Sequence, residues 1–184
     1  MKKESIQVAL LGMGTVGSGV YEVIEKLQKN TLVHKVGADV HVKRILVRSP
    51  EKYADMVEPH TILTTDWKDI VNDSDIDIVI EVMGGIEPAR TYLMEALAAG
   101  KNIVSANKDL IAVHGQELQA LAAKMKKDFR YEASALGAIP IVQPLKENLA
   151  ANHFFEIVGI MNGTTNFILS NMAEKDMGFE EALA

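Results

Sequence analysis

Short apolar runs alternate with amphipathic stretches over residues 1–133, and the runs have the length of buried strands. They predict six strands, at residues 6–11, 40–47, 61–65, 76–82, 102–105 and 129–133. The amphipathic stretches predict helices after Gly17 and at 51–58, 66–71, 89–99 and 114–127, whereas the polar stretch 29–39 is expected to be a loop. Strands that alternate with helices form βαβ units, so we predict an α/β fold with a doubly wound, mostly parallel sheet.

The pattern changes after about residue 131. Two prolines accompany a helical pattern over 137–150, and the apolar run 154–161 predicts a strand. A polar turn at 162–166 leads into a helix at 167–172, and another helix begins at 178. About fifty residues are too few for an independent domain with its own core. We therefore predict a first domain at 1–133, followed at 134–184 by the beginning of a second, α+β domain that is incomplete.

A glycine-rich turn, LGMGTVG at residues 11–17, follows the first strand. Gly12 permits the tight turn, Gly14 lets a pyrophosphate approach the backbone, and Gly17 lets the next helix pack against the strand. That helix offers free N–H groups to phosphates, and its buried face is expected to consist of Val16, Val20, Val23, Ile24 and Leu27. The turn indicates a Rossmann-type dinucleotide-binding domain rather than a merely structural turn, with cofactor contacts from Gly12, Met13, Gly14, Thr15, Val16 and Gly17.

Ligands of such sheets bind beyond the carboxyl ends of the strands, which adds Met83, Gly84 and Ser105 to the expected cofactor contacts. Arg48 ends the second strand, where NAD-preferring folds carry Asp or Glu for the ribose 2′-OH. A guanidinium suits a 2′-phosphate through bidentate, charge-assisted bonds. The sequence therefore predicts NADP as the cofactor, with NAD as the alternative, unless Arg48 is an ordinary exposed arginine.

Composition narrows the partners of the protein. The net charge is −6 and no basic stripe with aromatic residues is present, which argues against nucleic acid. Cysteine is absent, so neither a disulfide framework nor a thiolate metal site is expected. The apolar run near the N-terminus has six residues, too few for a signal sequence or a membrane span, and the cytoplasm is the expected compartment. The five histidines have no metal-ligand spacing and are interpreted as surface or capping residues, and Tyr92 as a packing residue.

Four segments together resemble the N-terminal part of homoserine dehydrogenase: LGMGTVGSGV at 11–20, SANK at 105–108, EASALGAIPI at 132–141 and GIMNGTTNFIL at 159–169. The resemblance implies reversible, NAD(P)-dependent hydride transfer between L-homoserine and L-aspartate 4-semialdehyde, on the route to threonine, methionine and isoleucine. It also implies that the chain lacks part of the catalytic apparatus and that the full-length protein is a homodimer with a small-molecule substrate.

The resemblance assigns roles to single residues. Lys108 is expected to be catalytic and to contact the cofactor, either carrying the proton or only orienting the substrate. A monovalent cation such as Na⁺ is expected at Glu132, Ala135, Gly137 and Ile139, although the sequence departs from the family's glycine-rich pattern at 136 and 138; otherwise Glu132 is a capping or ion-paired residue. The substrate is expected at Asn162, Gly163 and Thr164, in a turn where Thr164 and Thr165 would cap the next helix.

Two other functions remain open at this point. The chain could be a nucleotide-binding module that binds NADP without catalysing a reaction. It could also belong to another Rossmann dehydrogenase, such as a semialdehyde dehydrogenase, but that enzyme would need a catalytic cysteine, which the sequence lacks.

Overall fold

A computed structural model of the chain describes residues 4–27, 29–160 and 162–183. The chain divides into two compact units, one that ends at Ser134 and one that begins at Ala135.

The first unit is built on a six-stranded sheet in which every neighbouring pair is parallel. The strands are β1 (Ser5–Leu11), β2 (Asp39–Leu46), β3 (Ile62–Thr64), β4 (Ile76–Glu81), β5 (Asn102–Ser105) and β6 (Phe129–Arg130). Their order is β3-β2-β1-β4-β5-β6, so the direction of winding reverses between β1 and β4. This order confirms the predicted doubly wound α/β fold and puts the switch point, where ligands bind in such sheets, beside the glycine turn.

The helices of the first unit connect these strands. They are α1 (Thr15–Glu22), which continues as a π-helical turn (Val23–Leu27), α2 (Lys29–Val36), α3 (Lys68–Val71), α4 (Ala89–Ala98) and α5 (Lys108–Met125). Two 3₁₀ turns, Pro50–Lys52 and Ala54–Met56, replace the helix predicted at 51–58. None of the described helices combines the length and the hydrophobicity needed to cross a membrane.

Two further predictions about the helices of the first unit were wrong. The stretch 29–39 was expected to be a loop but contains α2. The helix ends at Val36, and the next residue, Gly37, has a φ of +73°. Its polar composition hid a segment that has no helix-breaking residue before that glycine. Helix α5 begins at Lys108 rather than at 114, because the Asn107 side chain accepts a hydrogen bond from the Leu110 N–H at 3.2 Å and caps the helix.

The buried face of α1 also differs from the predicted one. Gly17, Tyr21 and Ile24 are buried, whereas Val16 is 56% exposed and Leu27 is 65% exposed. The close approach of Gly17 to the preceding turn sets the rotation of the helix. Tyr21, four residues after Gly17, and Ile24, three residues after Tyr21, therefore face the sheet. The Tyr21 hydroxyl then accepts a hydrogen bond from the Glu58 N–H at 2.6 Å, which connects α1 to the segment before β3.

The core lies on both faces of the sheet, as a doubly wound fold requires. Consecutive residues of β1 alternate between two clusters: Ala9 and Leu11 belong to one, and Leu10 belongs to the other. The first cluster contains Trp67, the chain's single tryptophan, which stacks on Tyr92 with ring centroids 4.6 Å apart. Trp67 fluorescence is therefore a probe for unfolding of the first unit.

An ion-paired group joins β2 to the loop after α3. Asp73 accepts hydrogen bonds from Lys43 Nζ at 3.0 Å and from Arg44 Nε at 2.9 Å. Burial alone would raise the pKa of Asp73, but the hydrogen bonds from Lys43 and Arg44 outweigh it and lower the pKa from 3.8 to about 2. A carboxyl group with a lowered pKa in the folded state stabilises the fold above its unfolded-state pKa and loses that contribution as the pH falls through its folded-state pKa.

We therefore expect Asp73→Asn to lower the free energy of unfolding at neutral pH by about 2 kcal/mol. The difference between the parent chain and the variant should shrink between about pH 4 and pH 2, following the lowered pKa. Urea denaturation followed by Trp67 fluorescence at several pH values measures this difference, with Asp55→Asn at an exposed position as the control. If the difference in the free energy of unfolding between the two chains stays the same from neutral pH to about pH 2, the lowered pKa does not belong to Asp73.

The described part of the second unit is helical. It contains a π-helical turn (Pro144–Asn148), α6 (Gly163–Lys175) and α7 (Phe179–Leu183). Helix α6 starts four residues before the predicted position, because Asn162 rather than Thr164 or Thr165 is its cap: Asn162 Oδ1 accepts the Thr165 N–H at 2.9 Å.

The strand predicted at 154–161 was wrong for residues 154–160, and Met161 lies outside the described residues. Phe155 is fully exposed and Val158 is 83% exposed. A strand needs a neighbour to pair its backbone, and no other strand is present in the part of this unit that the structure describes. An apolar sequence by itself is therefore not sufficient for a strand here.

Candidate functional site

The glycine turn after β1 packs tightly against two other strand ends. The Gly12 N–H donates to the Leu46 carbonyl at the end of β2, at 3.0 Å. Gly12 has a φ of +100°, and a Cβ there would lie 3.2 Å from the Val82 carbonyl oxygen and 3.3 Å from the Met83 Cα. Both the backbone conformation and the lack of space therefore require glycine at position 12.

Gly17 and Gly14 differ in what a side chain would meet. A Cβ on Gly17 would overlap the Gly12 carbonyl oxygen and lie 2.9 Å from its carbon, so glycine lets α1 approach the turn. A Cβ on Gly14 would meet nothing within 4 Å. Gly14 is also the N-cap of α1, whose first turn contains no acidic residue. The free N–H groups of this helix start, with the open space at Gly14, suit an anionic group such as a phosphate.

A cavity of about 940 Å³ lies at the carboxyl edge of the sheet, beside this turn. The loops after four of the strands contribute to its wall. Its lining includes six of the predicted cofactor contacts: Gly12, Met13, Gly14, Arg48, Met83 and Gly84. The other predicted contacts, Thr15, Val16, Gly17, Ser105 and Lys108, do not line it.

The segment after β2 contributes two positive charges to the cavity, whose lining also includes Glu87 from the loop after β4. Within the segment after β2, Arg48, Ser49 and Lys52 all line the cavity. Arg48 follows the end of β2 by two residues and is exposed. Tyr53 was missed from the sequence: it lines the cavity, and its ring centroid lies 5.5 Å from Lys52 Nζ, a cation–π contact. Tyr92, interpreted as a packing residue, packs on Trp67 as expected but also borders the cavity.

A buried carboxylate joins the loop after β4, which lines the cavity, to the loop after β5, which does not. Glu81, at the end of β4, is fully buried and accepts hydrogen bonds from the Met83 N–H at 2.9 Å, the Ser105 hydroxyl at 2.7 Å and the Asn107 amide at 3.3 Å. Asn107 also donates to the Gly85 carbonyl at 2.6 Å. All three partners donate hydrogen bonds to the Glu81 carboxyl oxygens. This arrangement suits a carboxylate group, which has acceptors and no donor. Sequence reasoning assigned no role to either residue: Glu81 belongs to no recognisable motif, and Asn107 lies in the segment SANK without a predicted contact of its own.

Glu81→Ala should therefore destabilise the first unit by about 3 kcal/mol, because it leaves several buried donors without acceptors. Glu81→Gln keeps the volume and one acceptor, so its effect should be smaller. Urea denaturation followed by Trp67 fluorescence tests both variants against Glu22→Ala, at an exposed position of α1. Equal stability of Glu81→Ala and the parent chain would show that the hydrogen bonds of Glu81 do not support the loops.

Ser105 and Lys108 lie beside this hydrogen-bonded group. Ser105 is 1% exposed, and its hydroxyl, besides donating to Glu81, accepts the Asn107 N–H at 3.1 Å. Its side chain therefore supports the loop rather than facing the cavity. Lys108 is the first residue of α5 and is exposed, and its Nζ donates to the Ala133 carbonyl at 3.4 Å. Its catalytic role stays a prediction.

The residues expected to bind a cation are divided between the two units. Glu132 lies in a 3₁₀ turn (Glu132–Ser134) at the end of the first unit, whereas Ala135, Gly137 and Ile139 belong to the second. Ala138, one of the two departures from the family pattern, has a φ of +61°, a left-handed conformation that glycine adopts without strain. The backbone conformation here is one that a glycine-rich sequence would favour, although the residue is alanine.

The residues expected to bind substrate lie at the start of α6. Asn162 is the cap, and Gly163 and Thr164 are the first two residues of the helix, all three exposed. The turn caps the helix, but the prediction that Thr164 and Thr165 do so was wrong, because Asn162 is the capping residue. A role in substrate binding stays a prediction.

The strand order, the glycine turn at the switch point and the cavity beside it define the first unit as a Rossmann-type dinucleotide-binding domain. Two family models match the chain: the NAD-binding domain of homoserine dehydrogenase over residues 12–132, and homoserine dehydrogenase over residues 140–184. The chain belongs to the homoserine dehydrogenase family.

Similar proteins are aligned over nearly the whole chain. The chain is 46% identical over 180 aligned residues to homoserine dehydrogenase from Bacillus subtilis. The aligned region covers 98% of this chain and 41% of that protein. The enzyme from Synechocystis is 44% identical over 179 residues, covering 97% of this chain and 41% of the relative. The crystal structure of a homoserine dehydrogenase from Thiobacillus denitrificans superposes with a TM-score of 0.88 at 41% identity, covering 97% of this chain and 41% of that one. The chain thus spans about two fifths of the length of these relatives.

Proposed function

We propose that the first unit binds NADP in the cavity at the carboxyl edge of the sheet. The observation that carries the proposal is that a single cavity contains both the glycine turn and the cationic segment after β2. The turn at 12–14 would hold the pyrophosphate, and the loop at Met83 and Gly84 lies beside it. The bound cofactor would supply the hydride-transferring nicotinamide ring.

The preference for NADP over NAD rests on the residues that follow β2. Arg48, Ser49 and Lys52 offer a guanidinium, a hydroxyl and an ammonium group to a 2′-phosphate. An acidic residue would instead accept hydrogen bonds from the unphosphorylated ribose. The first carboxylate after β2 is Glu51, which does not line the cavity. The charge at this end of the cavity therefore favours the phosphorylated cofactor.

Titration calorimetry of the chain with NADP and with NAD tests this preference. Arg48→Ala should weaken NADP binding about 10- to 100-fold, the loss expected for hydrogen bonds between charged groups, and should leave NAD binding nearly unchanged. Lys124→Ala, which removes a positive charge from an exposed position of α5, is the control for net charge. The proposed preference is wrong if the parent chain binds both dinucleotides equally or if Arg48→Ala binds NADP as tightly as the parent chain.

For the full-length protein we propose the reaction implied by the family: reversible hydride transfer between L-homoserine and L-aspartate 4-semialdehyde. Lys108 is proposed to contact the reacting oxygen, and Asn162, Gly163 and Thr164 to contact the substrate. Family membership supports these assignments. Glu132, together with the carbonyls of Ala135, Gly137 and Ile139, is proposed to hold a monovalent cation, since hard cations prefer oxygen ligands. We also expect the full-length protein to be a cytoplasmic homodimer.

A homoserine oxidation assay on the 184-residue chain separates cofactor binding from catalysis. Because the chain spans about two fifths of its relatives, we expect it to bind NADP without oxidising homoserine. Turnover by this chain alone would show that the residues present in the relatives and absent here are not required. Failure to bind either dinucleotide would instead contradict the proposed cofactor site.

A further inference from the structure

A buried glutamate lies at the amino-terminal edge of the sheet, opposite to the edge with the cofactor cavity. Glu25 belongs to the π-helical turn after α1, and its side chain is fully buried. One carboxylate oxygen, Oε1, accepts the Val42 N–H at 2.6 Å. The other oxygen, Oε2, has no hydrogen-bond partner among the described residues. A buried carboxylate oxygen without a partner costs free energy, so the fold retains this glutamate at a disadvantage unless something else binds it.

Two histidines converge on this carboxylate. His41 Nδ1 lies 3.5 Å from Glu25 Oε2, and His60 Nε2 lies 3.3 Å from Glu25 Oε1. The two imidazole rings meet edge to face, with centroids 5.2 Å apart. The nearest ligand-type atoms of the three side chains all lie within 4.8 Å of one another. Residues 25, 41 and 60 are far apart in the sequence, which is why their spacing gave no metal signal.

Both imidazoles lie at ion-pair distance from the Glu25 carboxylate, but His41 and Glu25 are not joined by a hydrogen bond. His41 Nδ1, like Glu25 Oε2, is buried and lacks a hydrogen-bond partner within the part of the chain that the structure describes. The two unpaired atoms face each other at 3.5 Å but form no hydrogen bond. A cation between them would satisfy both atoms at once.

We propose that Glu25, His41 and His60 form a binding site for a zinc-class divalent metal ion. Two imidazoles and one carboxylate are a ligand set that Zn²⁺ uses in proteins. Bonds of about 2.0–2.1 Å in tetrahedral geometry put two ligand atoms about 3.3 Å apart. The 3.5 Å between His41 Nδ1 and Glu25 Oε2 is close to this value, and the ligand atoms of all three side chains lie within 4.8 Å of one another. The Val42 N–H that binds Glu25 Oε1 supplies the outer hydrogen bond that orients a metal-binding carboxylate.

Solvent reaches the two histidines of the proposed site but not Glu25. A shallow cavity of about 590 Å³ adjoins the two histidines and is otherwise lined by polar side chains, Ser5, Gln7, Lys43 and Asp75. Lys43 is bound to Asp73 and Asp75 at 2.9 Å each, so its ammonium group is neutralised beside the site. Water would therefore complete the coordination, and the ion's role would be structural.

The three ligands come from three separate segments. Glu25 lies in the crossover after α1, His41 is the third residue of β2, and His60 lies in the turn before β3. A bound ion would cross-link the crossover and two strands of the sheet and would stabilise the folded state by mass action. The proposed metal is separate from the cofactor, because the carboxyl ends of β1, β2 and β4 surround the cofactor cavity.

Titration calorimetry with ZnCl₂ on the chelator-treated 184-residue chain tests the site. We expect one equivalent to bind, to raise the thermal unfolding midpoint and, with Co²⁺ as the probe, to give the visible absorption of a tetrahedral site. His41→Gln and His60→Gln should each weaken binding at least about tenfold. His153→Gln, at an exposed position of the second unit, is the matched control and should bind like the parent chain.

His60 is the decisive position, since its side chain is 45% exposed and its replacement should leave the fold intact, as circular dichroism will show. Zinc binding that is lost in folded His60→Gln and retained in His153→Gln supports the site. The proposal is overturned if the parent chain binds no zinc, if folded His60→Gln binds zinc as tightly as the parent chain, or if His153→Gln weakens binding equally.

Discussion

Gly14→Val is expected to weaken NADP binding by about 100-fold or more while the chain keeps its fold. A side chain at this position meets nothing within 4 Å, and Gly14 has a φ of −75°, which other residues also adopt. The added methyl groups would occupy the space through which phosphate reaches the first N–H groups of α1. The loss of two hydrogen bonds to a charged group accounts for the size of the effect. Calorimetry measures binding, and Trp67 fluorescence in urea measures stability.

Two other glycines of α1 serve as controls for this result. Gly19→Val makes the same substitution in the helix, where a Cβ also meets nothing within 4 Å, but Gly19 does not line the cavity, so NADP binding should be retained. Gly17→Ala should instead destabilise the first unit by about 2–4 kcal/mol, because its Cβ overlaps the Gly12 carbonyl. Normal NADP binding by Gly14→Val would place the phosphates elsewhere and refute the proposed site.

Lys108→Ala in the full-length protein is expected to lower kcat for homoserine oxidation by about 10²- to 10⁴-fold, the usual contribution of a general acid or base. The lysine is exposed at the start of α5, and its hydrogen bond to the Ala133 carbonyl, at 3.4 Å, is long. Its removal should therefore cost little stability. Steady-state kinetics and NADP titration of the same variant separate an effect on the reaction from an effect on the cofactor.

Lys108→Arg distinguishes the two proposed roles of this residue. Arginine keeps the positive charge but does not release its proton, so it can orient a substrate without transferring a proton. If Lys108 carries the proton, Lys108→Arg should be nearly as slow as Lys108→Ala. If it only orients the substrate, much of the rate should return. Lys124→Ala, in the last turn of the same helix, is the control. Near-normal turnover of Lys108→Ala would rule out both roles.

Local patterns predicted the fold where local physics determines it. Apolar runs predicted the central strands β1 and β4, because a parallel strand buried on both faces needs continuous apolar residues. The edge strand β6 ends at Arg130, three residues before the predicted end. Helix α2 was missed because its sequence is more polar than the sequences of the helices that were predicted. The predicted face of α1 was right for Ile24 and Val20 but wrong for the exposed residues Val16, Val23 and Leu27. The contact of Gly17 with Gly12, rather than hydrophobicity alone, sets the rotation of the helix. The described residues 154–160 of the apolar run do not form a strand, because an apolar segment also needs a pairing partner to become one.

The candidate site was predictable to a similar extent. The glycine turn and Arg48 could be read from the sequence, since each lies directly after a strand. Glu81 and Asn107 could not be read in this way, because their hydrogen bonds depend on how β4 and β5 pair. The cluster of Glu25, His41 and His60 likewise depends on how the crossover after α1 lies against β2. Such contacts between distant segments leave no spacing in the sequence.

The wall behind Gly12 has a consequence for the order in which the protein is assembled. The turn is encoded near the start of the chain, but it is enclosed by the Val82 carbonyl and Met83, and the Val82 N–H donates to the Leu11 carbonyl. A nascent chain that has emerged only as far as β2 thus carries the whole glycine motif without its enclosing wall. Pairing between such distant segments is slow compared with helix formation. Dinucleotide binding during synthesis would therefore report that the central strands have paired, rather than that the glycine motif has been translated.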